Sequence, residues 1–166
     1  MSKHKSQAQL RGDIVAHLED FPHQLLALES AMEEFGRSFE LKAFKDAFEK
    51  KSGMKAYNDV QAVERAFSRV QNYIAQLAQN GARLANLELP QIHQSEAARA
   101  LEALKEAGAL DASLCKRLKR MQKIRAEVEH EYLRVKAGRL HEAVELLAAS
   151  APGFVGPFTA WIEPYL

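Results

Sequence analysis

Apolar residues recur along most of this chain at the three- and four-residue spacing that places side chains on one face of an α-helix. The clearest example lies between about residues 58 and 85, where seven apolar residues follow the spacing: Val60, Val63, Phe67, Val70, Ile74, Leu77 and Leu84. The sustained alternation of apolar and polar residues that is typical of strands is not found. The pattern therefore predicts an all-α protein, a single up-and-down helical bundle of about five to seven helices.

Capping residues, glycines and prolines divide the pattern into separate predicted helices. A break or kink is expected at Pro22, because a proline ring clashes with the preceding turn of a helix. Ser95 is a predicted N-cap, and residues 86–94, which include Pro90, are predicted to be a loop. The first predicted helix covers about residues 7–20, and a second continues from Pro22 and stops at Gly36. A later helix is capped by Asp111 or Ser113 and carries Tyr132, and a short terminal helix contains Trp161. The other predicted helices cover about residues 39–51, 58–85, 96–107 and 139–149.

Composition narrows the class of protein. A chain of 166 residues fits one domain, over residues 1–166, and 47% hydrophobic with 27% charged residues is ordinary for a globular protein. Cys115 is the single cysteine, so an internal disulfide is excluded. The first fifteen residues contain no apolar stretch typical of a secretory signal, and no run approaches 18 uninterrupted apolar residues. We expect a cytoplasmic protein that does not span a membrane.

Positive charge is concentrated on one segment, although the formal net charge is only +1. Residues 116–125 contain no acid and six basic residues: Lys116, Arg117, Lys119, Arg120, Lys123 and Arg125. Most such runs are solvated helix faces, and that interpretation stays open for the run by itself.

Sequence motifs of metal- and nucleotide-dependent enzymes are not found. Glu127 and His130 have the Glu-x-x-His spacing of di-iron bundles, but the second copy that such a site needs is missing. One cysteine and no His-Glu-x-x-His motif argue against zinc, and neither a dinucleotide-binding glycine motif nor a phosphate-binding P-loop occurs. We therefore expect no metal and no cofactor.

The stretch from Arg125 to Tyr132 carries the remaining candidate chemistry. Arg125 falls on the helix face of Leu118 and Val128, so its guanidinium must find a partner, reach out to solvent or face a wet cleft. His130 lies five residues further on, roughly 140° around an ideal helix, so one straight helix does not point both side chains at one small target. Either the helix is distorted, or the two groups converge with help from a second chain. The alternative is an arginine at the edge of the bundle and a surface histidine among glutamates.

Arg125, His130 and Tyr132 fit the pattern Arg-x4-His-x-Tyr. With this motif the chain resembles the HEPN family, and within it the HepT-like toxins that pair with minimal nucleotidyltransferase (MNT) antitoxins. The lead-in to the motif, residues 111–125, and the segment 62–66 in the long predicted helix also look like the family. The likeness extends over roughly residues 57 to 166 and, more loosely, the N-terminal helix.

The resemblance implies a metal-independent endoribonuclease formed by a homodimer, in which the motifs of both chains line one cleft. His130 would move protons at the 2′-hydroxyl or the leaving 5′-oxygen of RNA, and Arg125 would bind the phosphate oxygens. A separate nucleotidyltransferase antitoxin would neutralise the toxin by attaching AMP to Tyr132. The basic residues before the motif could hold the RNA backbone: Lys116, Arg117, Lys119, Arg120 and Lys123.

Two features depart from the family pattern and keep other functions open. Residues 37–56 have no recognised counterpart and are a candidate insertion. The residue after the motif arginine is usually polar in active members, and here it is Ala126. Ala126 favours a non-catalytic accessory subunit that helps a nucleotidyltransferase to bind its substrate. A third interpretation is a helical interaction module in which Arg125 and His130 are incidental.

Overall fold

Six α-helices form the chain in the computed structural model, which describes residues 4–130 and 136–166 except for the side chains of Glu129 and His130. The described ranges contain no strand, and the helices pack as a bundle, so the all-α prediction is confirmed. The helices are α1 (Gln7–Glu33), α2 (Leu41–Phe48), α3 (Met54–Leu84), α4 (Glu96–Glu106), α5 (Ala112–His130) and α6 (Ala137–Ile162), followed by a 3₁₀ turn at Glu163–Tyr165.

A break or kink was predicted at Pro22; the helix α1 continues through this residue, so a break is wrong. The proline removes one backbone hydrogen bond, but both halves of α1 bury apolar residues in the same core, Ile14 before the proline and Leu28 after it. Packing against α3 along the whole helix therefore outweighs the local preference of the proline. The predicted stop at Gly36 is close to the observed end, and Gly36 adopts a φ of 89° in the turn that follows α1.

The helix α6 also continues through prolines, at Pro152 and Pro157, so the prediction of a separate terminal helix is wrong. Both proline rings are exposed, on the side where water can bond the carbonyl groups that a proline leaves without a partner. Phe154 and Phe158, on the other side of the helix, are fully buried. Burial of these rings holds α6 together as one element.

By length and composition alone, α6 and the turn that follows it could cross a membrane, whereas the sequence predicted no such segment. The core helix of a water-soluble protein passes the same test. In the bundle, α6 buries one face against the other helices, with Leu140, Val144 and Leu147 fully covered.

The predicted helix caps position the elements around the candidate site. The Oγ of Ser95 accepts a hydrogen bond from the amide of Ala98 at 3.2 Å, which starts α4. The Oδ1 of Asp111 accepts a hydrogen bond from the amide of Leu114 at 2.7 Å, which starts α5. The Ser95 cap is as predicted, and Asp111 is one of the two residues predicted to cap α5. The helix α3 begins at Met54, four residues earlier than expected.

One hydrophobic core contains side chains from all six helices. The helix α2, which lies inside the segment 37–56, packs on α3 and α6 and contributes the fully buried Phe44. His141 of α6 stacks on Phe39 with ring centroids 4.3 Å apart, which fixes the turn before α2 against α6. The candidate insertion is therefore packed into the same core as the rest of the bundle.

Candidate functional site

The helix α5 packs between α4 and α6 through an apolar side and leaves its basic side chains at the edge of that interface. The buried apolar residues of α5 recur every three or four positions: Leu114, Leu118, Met121, Ile124 and Val128. This spacing places one continuous stripe in the core. The lysines and arginines between the stripe positions therefore have to leave α5 on one flank or the other.

Two adjoining cavities open between α5 and the beginning of α4. The larger has a volume of about 710 Å³ and is lined by four cationic side chains: Lys116, Lys119, Arg120 and Lys123. The smaller has a volume of about 270 Å³ and is lined by Arg125 together with three amide side chains of α3: Asn72, Gln76 and Gln79. Ser95, Gln122 and Ala126 line both cavities. We call the larger the basic cavity, the smaller the amide cavity, and the two together the α5 groove.

Two of the cations in the basic cavity are partly neutralised. The Nζ of Lys119 lies 3.1 Å from a carboxylate oxygen of Glu102, and Nη2 of Arg120 lies 3.5 Å from a carboxylate oxygen of Glu142. Hydrogen bonds from Lys105 and Lys119 lower the pKa of the Glu102 carboxyl, so this group is ionised at neutral pH. Lys116 and Lys123 are exposed at the cavity. The basic cavity therefore carries a net positive charge.

Arg117, the fifth predicted RNA-binding residue, does not line the α5 groove. Its Nε donates to the Oγ of Ser150 on α6 at 3.3 Å, and its Nη1 donates to the Oγ of Ser113 at 2.6 Å. One residue corresponds to a rotation of about 100° on a helix, so Arg117 leaves α5 on the flank away from Lys116. The structure brings the other four predicted residues together and places Arg117 in the α5–α6 contact.

The structure describes the three residues of the motif to different extents. Arg125 is half-buried, and its side chain lines the amide cavity, which is one of the three placements that the sequence left open for its guanidinium. His130 is the last residue of α5, and its side chain is not among those described. Tyr132 lies outside the described residues. Ala126 is exposed at the groove next to Arg125 and presents only a methyl group there.

Sequence reasoning missed the amide side chains of the groove. Gln122 is only 9% exposed, and its Nε2 donates to the main-chain oxygen of Gln71 at 2.8 Å and to the side-chain oxygen of Gln71 at 3.2 Å. The available signal was in α3, where the ten residues from Gln71 onward contain five amides and no charged side chain. Three of these amides, Asn72, Gln76 and Gln79, share one face through their spacing of four and three residues.

Cys115 lies on α5 away from the α5 groove and packs into the core. Its side chain is buried, and its Sγ donates to the main-chain oxygen of Leu101 at 3.4 Å. Burial, with a further contribution from the Glu102 carboxylate, raises the pKa of the thiol to about 11. Because the thiolate is the nucleophilic form, Cys115 has no role in the chemistry proposed below. Across the described ranges, no three histidine, cysteine or acidic side chains converge in a way that could hold a metal ion.

Comparison with known proteins adds no assignment to this geometry: no protein-family model, curated protein or solved structure matches the chain. The residues of the α5 groove and the Arg-x4-His-x-Tyr motif are therefore the features that indicate a function.

Proposed function

We propose that this chain is a metal-independent endoribonuclease toxin of a toxin–antitoxin pair. The observation that supports the proposal is the α5 groove, in which four cationic side chains precede the half-buried Arg125 of the motif along one helix. A row of cations of this kind suits a polyanion, because each phosphate that it neutralises releases bound counterions. Arg125 stands at the end of the row, where the phosphate to be cleaved would lie.

The proposed reaction uses the 2′-hydroxyl of RNA as the nucleophile. His130 removes the proton of this hydroxyl, the 2′-oxygen bonds to phosphorus, and the bond to the 5′-oxygen breaks. The leaving 5′-oxygen takes up a proton from the imidazolium of the second His130 in a dimer, and the products are a 2′,3′-cyclic phosphate and a 5′-hydroxyl. Arg125 stabilises the charge that develops on the phosphate oxygens through paired hydrogen bonds. The chemistry needs no metal.

A homodimer is part of the proposal. His130 follows Arg125 by five residues on α5, so an ideal helix directs the two side chains about 140° apart. Two copies of α5 facing each other would bring an arginine of one chain toward a histidine of the other. A separate MNT-type nucleotidyltransferase would act as the antitoxin and attach AMP to Tyr132, adding a phosphate and bulk beside the motif.

A second candidate function is favoured by Ala126. This residue lines both cavities beside Arg125, and its methyl group offers neither a hydrogen-bond donor nor an acceptor to a reacting phosphate. A chain that binds RNA in the groove without cutting it would serve as the accessory subunit of a nucleotidyltransferase. Both functions require RNA to bind in the groove, and only the toxin cleaves it.

Cleavage of single-stranded RNA in the presence of a chelator tests the proposal. Wild type should cut, and Arg125→Ala and His130→Ala should each lower the rate by about 100-fold or more, because each removes a group that acts on the transition state. Arg117→Ala is the matched control, since it removes the same charge from the same helix outside the groove, and its rate should be unchanged. A wild type that binds RNA without cutting it, and that gains cleavage in Ala126→Asn, would show that Ala126 disabled an intact site. If wild type and Ala126→Asn both bind RNA without cutting it, the toxin function would be contradicted and the accessory subunit would remain.

The proposed regulation has its own test. Co-expression with an MNT-type nucleotidyltransferase that an adjacent reading frame encodes should increase the intact mass of the chain by one or more AMP units, and the gain should disappear in Tyr132→Phe. A chain that is neutralised without any gain in mass would contradict AMP transfer to Tyr132 and indicate inhibition by complex formation.

A further inference from the structure

The amide cavity has a lining that differs from that of the basic cavity beside it. Asn72, Gln76 and Gln79 lie on one face of α3 and line it together with Arg125 of α5. In the part of the chain that the structure describes, none of these three amides takes part in a side-chain hydrogen bond. Each amide therefore offers a donor and an acceptor to a ligand in the cavity.

Gln122 adds a fourth amide in a fixed orientation. Its Nε2 donates to the main-chain oxygen of Gln71 at 2.8 Å, which determines which end of the amide is the nitrogen, because a carbonyl accepts only from a donor. The Oε1 of Gln122 is consequently turned away from Gln71. A side chain that is 9% exposed and held in this way contributes a preorganised polar group to the wall that the two cavities share.

Charge and size distinguish the ligand of the amide cavity from that of the basic cavity. The lining contains one cation, Arg125, which the proposed function assigns to the RNA phosphate, and one acidic residue, Glu96, which forms an ion pair with Arg83. The other polar side chains of the lining are uncharged. The volume of about 270 Å³ lies below the range of about 300–1,000 Å³ that is usual for drug-sized ligands. A small, flat, uncharged group with donors and acceptors on its edges fits this description. A nucleobase is such a group, and amide side chains pair with base edges through two hydrogen bonds at once.

We propose that the amide cavity is a nucleobase subsite, which binds one unstacked base of an RNA strand whose phosphates lie along the basic cavity. This inference rests on the proposed function, because it assumes that RNA follows the α5 groove. The subsite supplies what the cations lack, since contacts to phosphate hold a strand without regard to sequence and contacts to base edges select the sequence. The chain should therefore prefer some RNA sequences over others.

Binding of short 2′-fluoro RNA strands to the full-length protein tests the subsite, because these strands keep the bases and phosphates and lack the reacting hydroxyl. Fluorescence anisotropy would compare strands of adenine, cytosine and uracil with an abasic strand of the same length. Wild type should prefer one base over another by about 5- to 100-fold, the range expected for a good two-hydrogen-bond contact. The double variant Gln76→Ala/Gln79→Ala should reduce the preference to about twofold and leave binding of the abasic strand unchanged.

Two further variants distinguish the loss of base contacts from an effect on folding. Asn72→Ala changes an exposed side chain of the same face and should weaken the preference without affecting the packing of α3. Gln61→Ala makes the same substitution on α3 about four turns away from Gln76 and should keep the full preference.

The outcomes separate this inference from the function on which it rests. A wild type that binds all three base-containing strands within about twofold of one another would overturn the subsite and leave RNA binding in place. Amide variants that weaken the abasic strand as much as the others would also overturn it, since the amides would then contact the backbone. A wild type that binds none of the strands at low salt would overturn both the subsite and the proposed function.

Discussion

The basic cavity predicts that RNA binding depends steeply on salt, and Lys116 and Lys123 are the residues that test this best. Both are exposed and line the cavity, so alanine at these positions removes charge with little loss of packing. Lys119 and Arg120 are less informative, because each already forms an ion pair with a carboxylate of a neighbouring helix. A substitution there would change two interactions at once.

The expected magnitude follows from the number of cations in the α5 groove. Each phosphate neutralised on a single strand contributes about 0.7 to the slope of log affinity against log salt concentration. Five cations would give a slope of about −3.5, so the affinity would fall roughly 100-fold between about 50 and 200 mM salt. If Lys119 and Arg120 stay with their carboxylates, the slope is smaller by about 1.4, and the affinity falls by about 20-fold. Removal of both Lys116 and Lys123 should reduce the slope by about 1.4 in either case.

Anisotropy titrations of a 2′-fluoro strand over a series of salt concentrations would measure these slopes. Arg117→Ala is the control, because it removes one positive charge from α5 on the flank that contacts Ser150 of α6. Its slope should equal that of wild type, whereas Lys116→Ala should lose about 0.7. Equal losses in the two single variants would mean that total charge governs binding, and the assignment of RNA to the groove would be refuted.

Three further predictions concern packing, the thiol and assembly. Gly81→Ala should lower the free energy of unfolding in urea by about 1–2 kcal/mol, because the added Cβ would lie 2.8 Å from the Phe158 ring. Gly12→Ala is the control and should be neutral or stabilising, because no atom lies within 4 Å of its added Cβ. Equal effects of the two substitutions would contradict the α3–α6 contact. The pKa of the Cys115 thiol is near 9 in the unfolded chain and about 11 in the folded chain. Its contribution to the free energy of unfolding should therefore be fully present below pH 9 and should fall by roughly 2–3 kcal/mol as the pH rises through 11. A Cys115→Ala chain with the same alkaline decline would contradict this. Sedimentation at micromolar concentration should give twice the chain mass, and a monomer would remove the shared cleft.

Much of the fold could be predicted because local signals and tertiary packing agree. Ser95 and Asp111 cap α4 and α5 as expected, since a short polar side chain before an apolar run satisfies free amides whatever surrounds it. The prolines show where local signals fail. Pro22 and Pro157 oppose a helix locally, but core residues on both sides of each proline are buried in one continuous helix. The sequence near a proline does not contain the tertiary contacts that decide this competition.

The candidate site was predictable in composition and less so in arrangement. The run of basic residues indicated that α5 carries the candidate site. The separation of Arg117 from Lys116 was not predictable, because it depends on which side of α5 packs against α6. The amides of α3 were overlooked because they are far from the motif in sequence and meet Arg125 only where α3, α4 and α5 pack together. Side chains that line a cavity between helices become visible as a group only when the crossing of those helices is known.

The central claim is that the 2′-hydroxyl of RNA is the nucleophile in a cleavage assisted by Arg125 and His130. The most direct test is a DNA strand with a single ribonucleotide, of each base in turn, incubated with the protein in the presence of a chelator. We predict cleavage only on the 3′ side of the ribonucleotide, which leaves a 2′,3′-cyclic phosphate and a 5′-hydroxyl. A strand in which the 2′-hydroxyl of the ribonucleotide is methylated should not be cleaved. Cleavage of the methylated strand, or cleavage only when a divalent metal is added, would contradict the account.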